Sequence, residues 1–259
     1  MAEGAQTAKQ RRSRRGSHPA PLPPFDRDAV LRALGYRPGK TLASAASLQA
    51  VEEGMQEASR LLHPLLLYAD AALECVGPDA ILRVPSLGLS WCSPALTAVL
   101  AGTERVTIFA GTVGGGISDA ARAAFSAGDY TRAVVLDACG SAATSALSAR
   151  ARQEAEAWAR GRGYRATIPY SPGYRDWDIA DQEPLLRALE ARRIGIRTSD
   201  SHYLLPEKSF CGIIGWIRGL ADLPQASGCA ICFLAGCSYR RTPPIGQPGV
   251  LLPAAGRRG

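Results

Sequence analysis

"YSPGYRDW" (Tyr170–Trp177) carries the reading of this 259-residue chain. Ser171-Pro172-Gly173-Tyr174 has proline second and glycine third, the residue order of a type II turn. The third residue of that turn needs positive φ, which glycine adopts without strain. The turn is stiff, with main-chain N–H and C=O groups able to face a ligand. Tyr170 and Tyr174 flank it, each with flat apolar area and a polar tip. Turn chemistry accounts for Pro172 and Gly173 but not for aromatic residues on both sides. Two readings stand: packing aromatics around a turn, or a loop that holds a ligand against a flat partner.

Outward from the loop, the pattern alternates helices and short strands. "YRATIP" (164–169) before it reads as a strand, and "DIADQEPLLRALEARRIG" (178–195) after it as a capped amphipathic helix closed by Gly195. "IGIRTSDSHYLLPEKSFCGIIGW" (194–216) reads as an antiparallel meander. Upstream, Asp129 caps a long helix reaching about Arg160, whose middle, "ACGSAATSA" (138–146), has almost no bulk. Small residues there allow a tight helix crossing or a flat ligand. Asp26 caps a first helix, "RDAVLRAL", closed by Gly35. Leu48, Val51, Met55, Ala58 and Leu62 mark one face of a second helix. "PLLLYAD", "AILRV" and "RVTIFAG" read as strands, and Ser93-Pro94 opens a helix ended by Gly102. Gly114, Gly115 and Gly116 lack both the Gly-Lys-Ser/Thr ending and the G-x-G-x-x-G spacing of phosphate loops. They read as a mobile turn, with Ser118 capping the next helix.

The net charge of +7 sits mainly at the ends of the chain. Residues 1–24 carry Lys9, Arg11, Arg12, Arg14 and Arg15 against Glu3, and Arg257 and Arg258 lie at the other end. About +1 remains for the body, which argues against a nucleic-acid-binding domain. Residues 1–24 read as a disordered, basic, Pro-rich tail, 25–241 as one domain including a Cys-rich end, and 242–259 as a flexible tail. No apolar run approaches the ~18 to 20 residues that span a bilayer. The Arg-rich start is followed by prolines and not by an apolar stretch, so no secretory signal is expected there. Seven cysteines without secretory context point to a cytoplasmic protein with reduced thiols or a metal site.

"IPYSPGYRDWDIADQEPLLRALEARRIGIRTSDSHYLLPEKSFCGIIG" (168–215) resembles the activation (reactivation) domain of cobalamin-dependent methionine synthase, above all its free-standing form. "FDRDAVLRALGY", "AGDYTRAVVLDACGSAAT" and the Cys-rich end are also similar. The resemblance implies an α+β fold, a single compact domain with a curved antiparallel sheet flanked by helices. It implies binding of S-adenosylmethionine and docking on a corrinoid methyltransferase, methionine synthase or similar, which holds the cobalamin. A flavodoxin-like donor supplies the electron, and cob(II)alamin is reductively methylated to methylcobalamin. Tyr170, Ser171, Gly173 and Tyr174 become the cofactor-binding residues: Ser171 and Gly173 through main-chain contacts to S-adenosylmethionine, Tyr174 near the cobalamin face. No side chain need act as acid, base or nucleophile; the protein contributes position.

Three positions depart from the family pattern. Pro169 stands where an Arg pairs with the ligand carboxylate, Ser145 where the long helix tends to carry Glu, and Ile214 near the place of a Tyr. Arg165 and Arg175 are the nearby cations in sequence. The alternative reading is a non-catalytic corrinoid-docking or metal-binding protein that has lost S-adenosylmethionine. Cys229, Cys232 and Cys237 form C-x-x-C-x4-C, and Cys211 is the candidate fourth ligand for zinc or an Fe–S cluster. The other reading of these thiols is as small buried hydrophobes. Lys208 and Ser209 read as a solvated strand start or an anion contact, and Asp137 as a polar group buried in the helix. Asp200, Ser201 and His202 are adjacent, and adjacent strand residues face opposite ways, so they form no triad.

Overall fold

The computed structural model describes residues 14–19, 25–37, 39–76 and 81–218, with main chain alone at 14–19 and 76. Its strands are β1 (Arg14–Pro19), β2 (Leu65–Ala72), β3 (Glu74–Val76), β4 (Ile81–Val84), β5 (Leu89–Trp91), β6 (Thr103–Thr112), β7 (Tyr164–Ala166), β8 (Arg197–Thr198), β9 (Leu204–Leu205) and β10 (Ser209–Arg218). Its α-helices are α1 (Arg27–Ala33), α2 (Ala45–Leu61), α3 (Pro94–Val99), α4 (Gly116–Ser126), α5 (Tyr130–Arg160) and α6 (Gln182–Ala188).

Period-two alternation in β2, β6 and β10 sorts two cores onto two faces of one sheet. The strand order is β1-β2-β6-β10-β7, antiparallel at every step. Cross-strand rows Leu67–Ala110–Cys211 and Ala69–Ile108–Ile213 lie on one face. They pack with Trp91, Leu96, Tyr170, Trp177, Leu185 and Ile196. The rows between them, Tyr68–Phe109–Gly212 and Asp70–Thr107–Ile214, lie on the other. There Tyr68, Phe109 and Ile214 meet Val30, Val51, Ile117, Leu136 and Leu147 from the helices. Trp216 Nε1 donates to Thr107 Oγ1 at 3.0 Å, and Thr107 Oγ1 donates to the buried Asp70 carboxylate at 2.7 Å. These inward polar groups are therefore satisfied by one another. The architecture is the expected mixture of helices and antiparallel sheet.

Local signals hold where a cap decides the element. The Asp26, Ser93 and Asp129 side chains each accept from a backbone N–H of the first turn of α1, α3 and α5. Four expectations give way. Ser118 is no cap: α4 begins at Gly116 with Gly115 preceding it, and Ser118 is buried inside the helix. Gly114, at φ 85°, turns the chain early, and a Cβ on Gly116 would meet the Leu61 carbonyl at 3.1 Å. The single helix over 178–195 is instead a 3-10 turn (Ile179–Asp181), α6, and a second 3-10 turn (Ala191–Ile194). Glu190 at φ 54° breaks it, while Leu185, Leu186, Leu189 and Ala191 still share one buried face. The meander contracts to a two-residue pair, β8–β9, and β10 joins the main sheet instead. Arg14–Pro19, expected within an irregular tail, pairs with β2 from Arg14↔Asp70 to Pro19↔Leu65. That pairing covers main-chain groups β2 would otherwise expose along an edge.

The low-bulk centre of α5 is filled by protein. A Cβ on Gly140 would meet Lys208 Cε at 3.1 Å and Ile117 Cγ2 at 3.2 Å. Lys208 is not a solvated strand start: its side chain is 14% exposed and its Nζ reaches Asp137 at 2.7 Å and Ser141 Oγ at 2.9 Å. Asp137, read from sequence as buried, is exposed and reaches inward only through this pair. Residues 219–259, with Cys229, Cys232, Cys237 and the C-terminal tail, lie outside the described residues.

Candidate functional site

The Ser171–Tyr174 turn forms as its residues require. Gly173 has φ 88°, and Tyr174 N–H donates to the Ser171 carbonyl at 3.2 Å. The loop then closes on itself: Gly173 N–H donates to the Trp177 carbonyl at 2.7 Å, and Trp177 N–H to the Tyr174 carbonyl at 3.1 Å. Two of the main-chain groups expected to face a ligand, the Gly173 N–H and the Ser171 C=O, are thus engaged inside the loop.

The loop is fastened to β10. Tyr170 and Ile213 exchange both main-chain hydrogen bonds, at 2.9 and 2.8 Å. Ser171 Oγ donates to the Cys211 carbonyl at 2.8 Å. Gly212 makes this approach possible, since a Cβ there would lie 2.7 Å from the Tyr170 carbonyl oxygen and 2.9 Å from Ser171 Oγ. Gly212 is passed over in the sequence analysis; its signal is a glycine among large apolar residues at the end of the stretch read as a meander.

The aromatic residues divide into anchors and a surface. Tyr170 (2% exposed) and Trp177 (1%) are buried. Their rings lie parallel with centroids 6.0 Å apart, and Trp91 meets Trp177 edge-on at 5.6 Å. Tyr174 stands edge-on to Tyr170 at 5.5 Å, but is 56% exposed, with Ile179 at the rim. Tyr170 Oη donates to the Tyr174 carbonyl at 3.2 Å. Burial pushes the Tyr170 hydroxyl above its ordinary pKa, while the Arg175 charge acts in the opposite direction. Asp176 accepts from Ala95 N–H at the start of α3, at 3.2 and 3.3 Å, which ties the loop to a third element.

Tyr170, Ser171, Gly173 and Tyr174 are therefore brought together, with Tyr170 and Ser171 turned to the protein and Gly173 and Tyr174 to the outside. Pro169 is partly buried and offers no charge. Arg175 is in the loop itself, whereas Arg165 pairs in β7 with Ile217, well down the sheet from Tyr170. Ile214 belongs to the helix-covered core, on the other face of the sheet from Ile213 and Tyr170. Ser145 lies on α5, which packs on that same helix-covered face. His202 has φ 61° in the turn between β8 and β9, and Asp200, Ser201 and His202 all lie in that turn and not in a strand.

Cys211 is 4% exposed, and burial pushes its thiol up to about 12. Cys139, on α5, is likewise pushed up to about 12 by burial. Cys229, Cys232 and Cys237, the ligands expected beside Cys211, lie outside the described residues. Among the described residues no group of three or more His, Cys, Asp or Glu could hold a metal ion. Alkylation of the native protein at neutral pH, read by mass spectrometry, should mark the exposed Cys75 and Cys92 and spare Cys139 and Cys211. Also among the described residues, no helix is long and apolar enough to cross a membrane.

No protein-family model matches the chain, and no curated protein does. A search of solved structures finds likeness to the crystal structure of the MetH reactivation domain bound to AdoHcy, S-adenosylhomocysteine. The TM-score is 0.57 at 11% sequence identity, over 83% of this chain and 81% of that one. In fold, then, this chain is similar to the reactivation domain of MetH.

Proposed function

We propose that the chain binds S-adenosylmethionine at the Tyr170–Trp177 loop and docks on a corrinoid methyltransferase to support its reductive reactivation. The observation that carries this is the loop: a rigid turn fastened at both ends, with one half-exposed tyrosine at its crest. The likeness in fold to a domain bound to AdoHcy supports it. The residues present fit such a ligand in two respects: Tyr174 offers a ring face and Arg175 a cation. When bound, S-adenosylmethionine supplies a methyl group that, with one electron from a flavodoxin-like donor, converts the partner's cob(II)alamin to methylcobalamin and leaves S-adenosylhomocysteine. The chain's own part is to orient. Ser171 and Tyr170 hold the turn on β10, Trp177 fixes its height, and Tyr174 with Ile179 presents an apolar rim to the partner. Position is worth much of the acceleration when two large reactants must meet.

One observation favours a second reading, docking without the methyl donor. The Gly173 N–H and Ser171 C=O are used within the loop, and Pro169 brings no charge. Calorimetric titration with S-adenosylmethionine separates the two. The leading reading further expects the spectrum of a cob(II)alamin-loaded partner to move to that of methylcobalamin when the protein, a reductant and S-adenosylmethionine are added together. No such change with a competent partner would sink it.

A further inference from the structure

Residues 25–218 hold acidic and basic side chains in equal numbers, so the whole +7 net charge belongs to the two flanking segments. Residues 1–24 carry five cations against Glu3, and residues 219–259 carry Arg240, Arg241, Arg257 and Arg258 against Asp222. Both segments meet the main sheet at one end. β1 starts at Arg14, in the cross-strand row Arg14–Asp70–Thr107–Ile214, and runs away from that end towards Pro19. β10 stops four residues past Ile214, at Arg218. The fold gathers its own arginines there. α5 ends at Arg160, Arg162 lies in the turn that follows, and Arg165 is in β7, whose Tyr164 pairs with Arg218. Arg105 stands opposite Trp216 in the sheet. The Arg105 and Arg162 guanidiniums lie over the buried Trp216 ring at 5.6 and 5.5 Å, and that of Arg218 lies over Tyr164 at 4.9 Å. Of the nearby acids, Glu104 is 3.0 Å from Arg218 Nε, and Glu74 stands cross-strand from Arg83. With five arginines at this end, the rest of residues 25–218 is acidic on balance. The near-neutral sum of the body is an average over parts of opposite sign.

We propose that this end of the sheet, together with the two basic segments that join it, binds the phosphate backbone of a nucleic acid without reading its bases. Charge of one sign concentrated on one end suits a polymer that carries a negative charge at every step. Guanidiniums suit phosphate because their planar fork donates paired hydrogen bonds, and stacking on a ring keeps that fork ordered. An acidic protein fits less well. Protein interfaces have an apolar centre from which charged residues are depleted. Among the described residues the exposed large apolar side chains are Leu42, Phe125, Tyr130, Val134, Tyr174, Ile179 and Tyr203, and none belongs to the strands or the turn that form this end. Its one large ring beside Tyr164, Trp216, is fully buried and offers no face for a base to stack on, so binding rests on the backbone. The site is separate from the Tyr170–Trp177 loop and does not depend on the reading of that loop.

The test is fluorescence anisotropy of a short labelled duplex of mixed sequence, titrated with the full chain at several salt concentrations. Three triple variants are compared with wild type. Arg160→Gln, Arg162→Gln and Arg218→Gln together remove exposed charge from this end. Lys9→Gln, Arg11→Gln and Arg12→Gln remove it from the segment ahead of β1. Arg60→Gln, Arg122→Gln and Arg132→Gln remove the same charge elsewhere. These three are also exposed: Arg60 ends α2 beside the His63 that bonds Val113, Arg122 pairs with Glu207 ahead of β10, and Arg132 pairs with Glu57. Wild type should bind with a dissociation constant of about 10⁻⁴ to 10⁻⁶ M near physiological salt, and equally well when the base sequence is scrambled. Each of the first two triples should flatten the slope of log affinity against log salt by about 2 to 3, close to one per lost phosphate contact. The third triple should leave the slope unchanged. Arg160→Gln alone, at the exposed end of α5, should flatten it by about 1 and serves if the first triple fails to fold. No binding by wild type at low salt overturns the proposal. So does equal weakening by the third triple, since net charge and not a site is then at work. An effect of the Lys9, Arg11 and Arg12 variant alone also overturns it, because the sheet end then takes no part. Displacement of the duplex by polyglutamate at equal charge concentration assigns the surface to an acidic protein instead and overturns it as well.

Discussion

Trp177→Ala should lower stability by about 3–5 kcal/mol, the range for deleting a fully buried large aromatic side chain. Trp177 is 1% exposed, parallel to Tyr170 and edge-on to Trp91. Its removal leaves a cavity between the loop and the core beneath β10, where Leu185, Leu186 and Ile196 also pack. Leu185 and Leu186 lie on the short helix α6 before the break at Glu190, and Ile196 follows the break at Gly195, so these separately held neighbours have limited freedom to collapse into the space. For a chain of this size the loss corresponds to a fall of roughly 10 °C in thermal midpoint. The effect should reach beyond stability. The Trp177 main chain accepts from Gly173 N–H, so a displaced Trp177 slackens the turn that presents Tyr174. Trp177→Phe, which keeps a ring in the stack, should cost less than the alanine variant. Urea unfolding of the three proteins checks the order. An alanine variant within about 1 kcal/mol of wild type would mean that the loop is not packed as described.

The turn was legible in the sequence because its requirement is local. Proline and glycine at the second and third positions specify the backbone whatever lies around them, and Gly173 obeys. Caps are local too: the side chain and the N–H it serves are within three residues, and Asp26, Ser93 and Asp129 all act as read. What failed depended on distant partners. Ser118 has the right type and spacing for a cap, but Leu61 and Gly114 set where α4 begins. The 14–19 segment is basic and Pro-flanked, and nothing within it shows that it meets β2, almost fifty residues on. The site divides in the same way. Tyr170 and Tyr174 look equivalent in the sequence, yet one is buried and the other half-exposed. The difference comes from β10, whose Ile213 takes both main-chain bonds of Tyr170. Arg175 was one of two cations near the loop in sequence; its conformation and place at the crest are tertiary facts.

Gly212→Ala should detach the loop from β10 at a cost of about 2–3 kcal/mol, within the range for forcing a methyl group into a packed interior. The new Cβ would stand 2.7 Å from the Tyr170 carbonyl oxygen, 2.9 Å from Ser171 Oγ and 3.0 Å from Phe109 Cζ. The three neighbours differ in what they can yield. Phe109 can tilt its ring. Ser171 can rotate, but only by surrendering its bond to the Cys211 carbonyl. The Tyr170 carbonyl cannot retreat without lengthening its 2.8 Å bond from Ile213 N–H, and that bond is half of the bridge that holds the loop. Relief therefore comes mainly by lifting Tyr170 and Ser171 away from the strand, which carries Tyr174 and Arg175 with them. The expected signature is joint: lower stability, faster amide exchange at Tyr170 and Ile213, and weaker binding of S-adenosylhomocysteine. Gly215→Ala is the internal comparison. On the same strand, its Cβ would have side-chain atoms of Thr103, Leu100 and Thr167 as its three nearest neighbours, and none of these belongs to the loop. It should destabilise while leaving exchange at Tyr170 no faster than global unfolding requires. If Gly212→Ala proves as stable as wild type and exchange at Tyr170 stays slow, the close approach of loop and strand is not what holds the site together.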